Sequence, residues 1–172
     1  QEKDIPDFRQ AHAIRVMKRS MQGIAYFGTS YSFVFLEVCS GSAKLTQAVR
    51  LAGLTCLEPV DIITGWDLTL QSTCRKLKAL IAERRPLFTH FAPVCRIFSQ
   101  AFHPLKLPEY YTSEDDYKED MQLAINIYGI ADFVVSLYLF VGIENPIRSR
   151  IFALVCYVKL RLKAGFFFVD AN

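Results

Sequence analysis

The amino-acid sequence predicts an α/β fold in which a doubly wound, mostly parallel sheet forms a single domain of the 172-residue chain. Short apolar runs alternate along the chain with amphipathic segments, and parallel strands covered on both faces need such nearly continuous apolar runs. Small or acidic residues follow several of the runs, as expected where buried strands turn into helices. We therefore expect residues 1–32 to form an N-terminal helix and connector, and residues 33–172 to form the sheet domain.

The overall composition narrows the class of protein without identifying a ligand. The 20 basic and 17 acidic residues give a net charge of +3, which by itself indicates neither nucleic acid nor membrane. The hydrophobic fraction of 52% and the mean hydropathy of +0.20 suit a buried sheet or a large interface with another protein.

The five cysteines are widely spaced and contain no Cys-x-x-Cys pair. This pattern argues against a disulfide framework or a zinc site, and it favours a reducing intracellular compartment, whether cytoplasm, nucleus or organelle interior. The three histidines are scattered, so the sequence predicts no metal site.

The polar N-terminus lacks the apolar core of a signal peptide. The apolar stretch from Ile125 to Ile143 contains Asn126 and Asp132, so we expect a core helix and strand there and no membrane-spanning segment.

The opening strand is predicted at Phe33–Leu36, after an amphipathic helix with a basic face at Asp7–Met21. The strand leads through Glu37 into the small residues 39–43, and the next helix repeats apolar positions from Leu45 to Ala52. A turn of small residues lets backbone N–H groups and a helix N-terminus approach a ligand closely. The segment is typical of a nucleotide site, and an ordinary strand-to-helix turn has the same pattern.

A second strand is predicted at Leu54–Leu57, followed by a short third strand at Ile62–Ile63. An acidic residue after the second strand of a βαβ unit is where a pair of ribose hydroxyls is usually bound. Glu58 and Asp61 are both candidates for that role, and an ordinary loop carboxylate is the alternative for each.

The remaining segments continue the alternation. Helices are predicted at 71–83, 117–137 and 149–163, and strands at 87–91, 138–143 and 166–169. The segment 100–120 contains prolines, adjacent tyrosines and an acidic run, which predicts a mobile surface loop of the kind that often covers a site.

Three turns at the ends of predicted strands carry the most distinctive residues, and ligands of open α/β sheets bind at that edge. Together they resemble the Rossmann-like S-adenosylmethionine-dependent methyltransferase fold, and more narrowly the DNA cytosine-C5 methyltransferase family. Glu37–Lys44 is similar to that family's Asp-Leu-Phe-x-Gly-x-Gly-Gly motif. Pro93–Ser99 is similar to its Pro-Pro-Cys-Gln-x-Phe-Ser motif, and Glu144–Asn145 to its Glu-Asn-Val motif.

The resemblance implies S-adenosylmethionine as cofactor and a nucleic acid base as methyl acceptor. Cys95 would be the nucleophile whose thiolate adds to the pyrimidine ring, and Glu144 would hold a ring nitrogen and exchange a proton. A base within a duplex would first be flipped out of the stack. The implied cofactor-binding residues are Glu37, Cys39, Ser40, Gly41, Glu58, Asp61, Asp67 and Pro93. The implied substrate-binding residues are Ser99, Asn145 and Arg96.

Other interpretations of the same residues remain open. Ala43 and Lys44 stand where the family has glycines, and no target-recognition segment is recognisable. The alternative function is therefore a catalytically inactive methyltransferase-fold subunit with a structural or interaction role in a larger assembly. A dinucleotide-binding oxidoreductase is a weaker alternative, because Gly41 alone remains of a G-x-G-x-x-G pattern. Without a catalytic function, Cys95 would be a small buried apolar residue and Glu144 an ordinary carboxylate in a loop.

Overall fold

The computed structural model describes residues 32–99, 114–146 and 148–164. Two predicted elements lie outside these residues, namely the N-terminal helix at Asp7–Met21 and the final strand at 166–169. Residues 100–113 of the predicted surface loop also lie outside them.

Within the described residues the chain forms three parallel strands in the spatial order β1-β2-β3. They are Phe35–Val38 (β1), Phe88–Phe91 (β2) and Phe140–Ile143 (β3). Val38 pairs with Phe91 and Phe91 with Ile143, so the strands are in register and end at the same level. The predicted α/β class is confirmed, and every pairing between these strands is parallel.

The predicted second strand at Leu54–Leu57 is wrong, because two isolated parallel bridges, at Cys56 and Val60, replace a strand ladder beside β1. Between these bridges β1 advances from residue 35 to 38 while the facing chain advances from 56 to 60, so the facing chain bulges. Pro59 lies in the bulge and has no N–H to continue a ladder. Since β2 occupies the opposite edge of β1, this bridged segment runs along the other edge.

The predicted third strand at Ile62–Ile63 is also wrong, because the segment is a 3-10 turn at Ile62–Thr64. The Asp61 carboxylate accepts a hydrogen bond from Ile63 N at 3.1 Å, and Asp61 N donates to the Thr64 hydroxyl at 3.1 Å. This reciprocal cap stabilises a helical start and leaves both isoleucine side chains exposed. Local capping chemistry therefore overrides the β propensity of the two isoleucines.

The described residues contain four α-helices, Lys44–Leu51 (α1), Gln71–Arg84 (α2), Glu114–Ser136 (α3) and Val155–Ala164 (α4). The prediction of α2 is correct to within one residue. The acidic residues 114–116 form the first turn of α3, where negative charge is favourable, and not part of a surface loop as predicted. The last predicted helix is shorter than expected, because a 3-10 turn at Arg150–Ala153 and an extended Leu154 precede α4.

The main core lies between α2, α3 and one face of the sheet. Its buried side chains include Leu36, Val38, Leu77, Ile81, Phe91, Ile127, Ile130 and Val134. On the opposite face α1 covers β1, where Phe35 packs against Val49. The first strand is therefore buried on both faces, as its apolar sequence indicates. Among the described helices none has the length and apolar character needed to span a membrane.

Asn126 is a buried polar residue within α3 whose amide is fully hydrogen-bonded. Its Nδ2 donates to the carbonyls of Leu68 at 2.8 Å and Thr69 at 3.0 Å. Its Oδ1 accepts from Gln71 Nε2 at 2.7 Å and Gln122 Nε2 at 2.9 Å. These bonds satisfy a buried amide and fix the loop before α2 against α3.

His90 lies in the middle strand, with its ring centroid 6.5 Å from that of Phe35. Burial disfavours the charged imidazolium and lowers the pKa of His90 from 6.5 to about 4. The unfolded chain therefore binds this proton at a higher pH than the folded chain does.

We predict that folding stability falls by roughly 1–3 kcal/mol from this one group as the pH drops from about 6.5 toward 4, because protons then favour the unfolded state. Chemical denaturation at several pH values checks the loss in the wild type and in His90→Gln. The variant should show a shallower dependence in that window, and parallel profiles would contradict the prediction.

Candidate functional site

The carboxyl ends of the three strands form one edge of the sheet, and the strand pairing continues just beyond them. Ala92 N donates to the Val38 carbonyl at 3.0 Å, and Glu144 N donates to the Phe91 carbonyl at 2.8 Å. The turns that follow the strands therefore begin side by side. These turns contain the three motif-like segments of the sequence, at a place where α/β sheets bind ligands.

The turn after β1 has an unusual backbone. Cys39, Gly41 and Ala43 have φ values of 57°, 52° and 53°, in the left-handed region. This conformation has little cost for Gly41 and costs about 1 kcal/mol for a residue with a Cβ, such as Ala43. Apart from its chain neighbours, no described atom lies within 4 Å of where a Cβ on Gly41 would stand. A ligand can therefore approach the backbone closely at Gly41.

Glu37, at the end of β1, caps the helix that follows this turn. Ala43 precedes α1 and has no side-chain group to cap it. Glu37 Oε2 instead accepts from Thr46 N at 2.7 Å and from the Thr46 hydroxyl at 2.5 Å. Burial raises the pKa of Glu37, although the two bonds from Thr46 partly offset that rise. This oxygen of Glu37 is thus committed to α1.

Asp61, and not Glu58, reaches the turn at Gly41. Asp61 Oδ2 accepts a hydrogen bond from Gly41 N at 2.8 Å. Glu58 instead pairs with Arg50 of α1 at 2.8 Å, and its side chain is 87% exposed. Of the two acids predicted to bind ribose hydroxyls, Asp61 therefore contacts the turn, whereas the contact shown for Glu58 is with Arg50.

Cys39 and Asp67 have local surroundings that limit their chemistry. Burial, together with the nearby Asp61 carboxylate, raises the pKa of Cys39 to about 12, so its thiol stays protonated at neutral pH. Asp67 Oδ1 accepts from Thr69 N at 2.9 Å and from the Thr69 hydroxyl at 2.6 Å. These bonds fix the loop before α2 and do not join Asp67 to the Gly41 turn.

The turn after β2 is closed by the carbonyl of Cys95, which accepts from Phe98 N at 3.0 Å and from Ser99 N at 2.8 Å. Pro93 is buried, while Cys95 and Ser99 are half-buried. Asn145 Nδ2 donates to the Pro93 carbonyl at 2.9 Å, joining segments 52 residues apart. Asn145 Oδ1 is buried and has no partner among the described residues. A hydrogen-bond acceptor is therefore held at the junction of the two turns.

Glu144 is the first residue after β3. Its backbone N–H continues the sheet pairing, and its side chain is exposed at the same edge. The carboxylate is therefore accessible to solvent at the edge of the sheet that also carries the turn with Cys95.

Asp120 of α3 contacts a residue of this site, although the sequence pattern does not single it out. Arg96 Nε and Nη2 donate to Asp120 Oδ2 and Oδ1, each at 2.9 Å, and the Asp120 side chain is only 7% exposed. The acidic run around residues 114–120 is typical of a solvated surface segment, so the sequence does not indicate that Asp120 is buried. Its helical spacing from buried Ala124 and Ile127 was the one available signal.

In residues 32–99, 114–146 and 148–164, no group of three or more His, Cys, Asp or Glu side chains is arranged to hold a metal ion. Comparison of the chain with protein-family models, curated proteins and solved structures finds no match. Function is therefore inferred from the residues at the carboxyl edge of the sheet.

We predict that Thr46→Val destabilises the fold by about 1–3 kcal/mol at neutral pH, because the buried Glu37 carboxylate loses a hydroxyl donor. The loss should shrink toward acid pH, where Glu37 is protonated and its hydrogen bonds are weaker. Chemical denaturation checks both effects. Thr55→Val makes the same change at an exposed position and should shift stability by less than about 0.5 kcal/mol. Equal losses in the two variants would refute the role of Glu37 as a cap.

Proposed function

We propose that this chain is an S-adenosylmethionine-dependent methyltransferase of doubly wound, Rossmann-like fold that acts on a nucleic acid base, cytosine at C5. The observation that carries the proposal is the hydrogen bond from Asn145 Nδ2 to the Pro93 carbonyl. It joins the two turns that resemble the catalytic motifs, at the same edge of the sheet as the turn that contains Gly41.

The path of the chain supports the doubly wound sheet. After β1 the chain runs along one edge of that strand, with bridges at Cys56 and Val60, and it then forms β2 on the other edge. Such a reversal creates the switch point at which ligands bind in open α/β sheets. The turn at Gly41 follows β1 and therefore lies at this point.

The residues around Gly41 fit S-adenosylmethionine better than a dinucleotide. A pyrophosphate needs free backbone N–H groups, whereas Gly41 N and Thr46 N already donate to the carboxylates of Asp61 and Glu37. S-adenosylmethionine carries a sulfonium and an ammonium group, which nearby carboxylates attract. Each Asp61 oxygen has a second lone pair that can accept from a ribose hydroxyl, and the space above Gly41 is open.

The proposed chemistry assigns one role to each turn. The bound cofactor supplies the electrophilic methyl group. The Cys95 thiol loses its proton to solvent, and its sulfur adds to C6 of the pyrimidine ring, which raises the electron density at C5. C5 takes the methyl group, leaving the cofactor sulfur as a neutral thioether. Loss of the C5 proton to solvent water then re-forms the ring double bond and releases the Cys95 thiolate. The Glu144 carboxyl group binds a nitrogen atom of the ring. It gives that nitrogen a proton during the addition and takes the proton back during the elimination. Asn145 fixes the turn that carries the nucleophile.

One observation favours the alternative of a catalytically inactive subunit. Val155, Val158 and Leu162 of α4 are 70%, 39% and 76% exposed, at spacings that place them on one face of the helix. An exposed apolar stripe is typical of an interface with another protein. A structural or interaction role in a larger assembly is therefore the second candidate function.

Titration calorimetry with S-adenosylmethionine tests the cofactor site. We predict saturable binding to the wild type and roughly tenfold weaker binding to Asp61→Asn, equivalent to about 1.4 kcal/mol. Glu58→Gln is the matched control, since Glu58 lies away from Gly41, and its affinity should be unchanged. Absence of binding at millimolar cofactor would overturn the proposed function.

Transfer of a labelled methyl group to cytosine-containing DNA tests the catalytic role of Cys95. We predict that Cys95→Ser abolishes transfer and leaves cofactor affinity unchanged, because the serine hydroxyl is a far weaker nucleophile than a thiolate. Cys56→Ser should retain both properties. Transfer that persists in Cys95→Ser would exclude the thiolate mechanism, and cofactor binding without any transfer by the wild type would favour the inactive subunit.

A further inference from the structure

We propose that Asp120 is a positioning residue for Cys95 and that it acts through the guanidinium group of Arg96. The inference rests on the proposed role of Cys95 as a nucleophile. In this proposal Arg96 holds the turn after β2, and Asp120 fixes the position of Arg96.

The contact between Arg96 and Asp120 has the geometry of a clamp. Two guanidinium nitrogens donate to the two carboxylate oxygens, each at 2.9 Å, and such a two-point contact fixes orientation as well as distance. The Asp120 side chain is 7% exposed, and a carboxylate is costly to bury unless it is paired. Asp120 also raises the pKa of Arg96, mainly through the hydrogen bonds between them. The Arg96 side chain is 44% exposed, so it is the buried carboxylate that distinguishes this pair from an ion pair in which both side chains are solvated.

This clamp acts on the residue next to the nucleophile. Arg96 follows Cys95 directly, and the Cys95 carbonyl is bound by Phe98 N and Ser99 N. Phe98 is itself buried in a small cluster with Ala124 of α3. The backbone on the C-terminal side of Cys95 is therefore anchored to α3 by polar and apolar contacts.

A second contact anchors the N-terminal side of Cys95. The Pro93 carbonyl accepts from Asn145 Nδ2 at 2.9 Å, so the segment that follows β3 holds that end of the turn. Val94 and Cys95 lie between the two anchors, and they are 43% exposed and half-buried respectively. A reachable thiol on a fixed backbone is what a positioned nucleophile requires.

Alkylation of the cysteines by iodoacetamide, followed peptide by peptide with mass spectrometry, tests this inference on the full chain. Without the contact between Arg96 and Asp120, the turn opens more often and exposes the Cys95 thiol. Asp120→Asn should therefore raise the rate of alkylation at Cys95 roughly tenfold. The rate at Cys56 in the same sample should stay within about twofold of the wild-type rate. An unchanged rate at Cys95, or an equal rise at Cys56, would overturn the inference.

Asp116→Asn is the matched control on the same helix. Asp116 Oδ1 lies 3.9 Å from the same guanidinium nitrogen, and its side chain is 39% exposed. Its substitution should change the rate at Cys95 by less than about twofold. An effect as large as that of Asp120→Asn would show that nearby negative charge matters and the two-point contact does not.

The route through Arg96 is tested by combining substitutions. Arg96→Gln should raise the rate at Cys95 as Asp120→Asn does, and the double variant should react no faster than either single variant. Multiplied effects in the double variant would refute action through Arg96.

Methyl transfer supplies an independent readout. With Asp120→Asn, kcat should fall roughly tenfold while the affinity for S-adenosylmethionine stays the same. Alkylation needs no cofactor, so failure of methyl transfer in the wild type would overturn the proposed function but not the anchoring of Cys95 by Asp120, which the alkylation rate measures separately. An unaltered alkylation rate at Cys95 would overturn the role of Asp120 alone.

Discussion

In-register parallel pairing of β1, β2 and β3 is the constraint on which the candidate site depends. Because the strands run in one direction and end at one level, turns that are far apart in the sequence begin side by side. The backbone bonds made by Ala92 N and Glu144 N extend this pairing past the strands and set the height of the following turns. The contact between Asn145 and Pro93 is possible only after that alignment, since nothing local to either turn brings them together.

Three carboxylates then hold the turns by binding the chain itself. Glu37 binds Thr46, Asp61 binds Gly41, and Asp120 binds Arg96. Buried or half-buried carboxylates persist only with such partners, because their desolvation would otherwise be costly. The cap supplied by Glu37 also stabilises the start of a helix whose preceding residue, Ala43, adopts a strained backbone. The result is an edge whose turns are already ordered by contacts within the chain.

Predictions from the sequence are correct where buried apolar residues recur at regular spacing. They are wrong where hydrogen bonds from nearby side chains favour a different backbone conformation. The helix α2 and the strand β2 follow directly from their apolar spacing. The strand expected at Ile62–Ile63 failed because the side chain of Asp61 caps a 3-10 turn there. The prediction of a loop at the acidic start of α3 is wrong, because acidic residues are common both in surface loops and in the first turn of helices. The sequence does not predict the burial of Asp120, because an acidic residue within a charged run is usually solvated and its partner Arg96 is 24 residues away.

By itself, the sequence determined the α/β class and the three turns that follow strands, because hydrophobic period and runs of small residues are properties of neighbouring positions. Only the tertiary structure decided that Asp61 rather than Glu58 contacts Gly41, and that Arg96 is paired with Asp120. Strand register and helix packing set the distances between these residues. The spacing of residues along the chain does not determine those distances. Contacts between side chains that are far apart in the sequence can therefore be identified only in the folded protein.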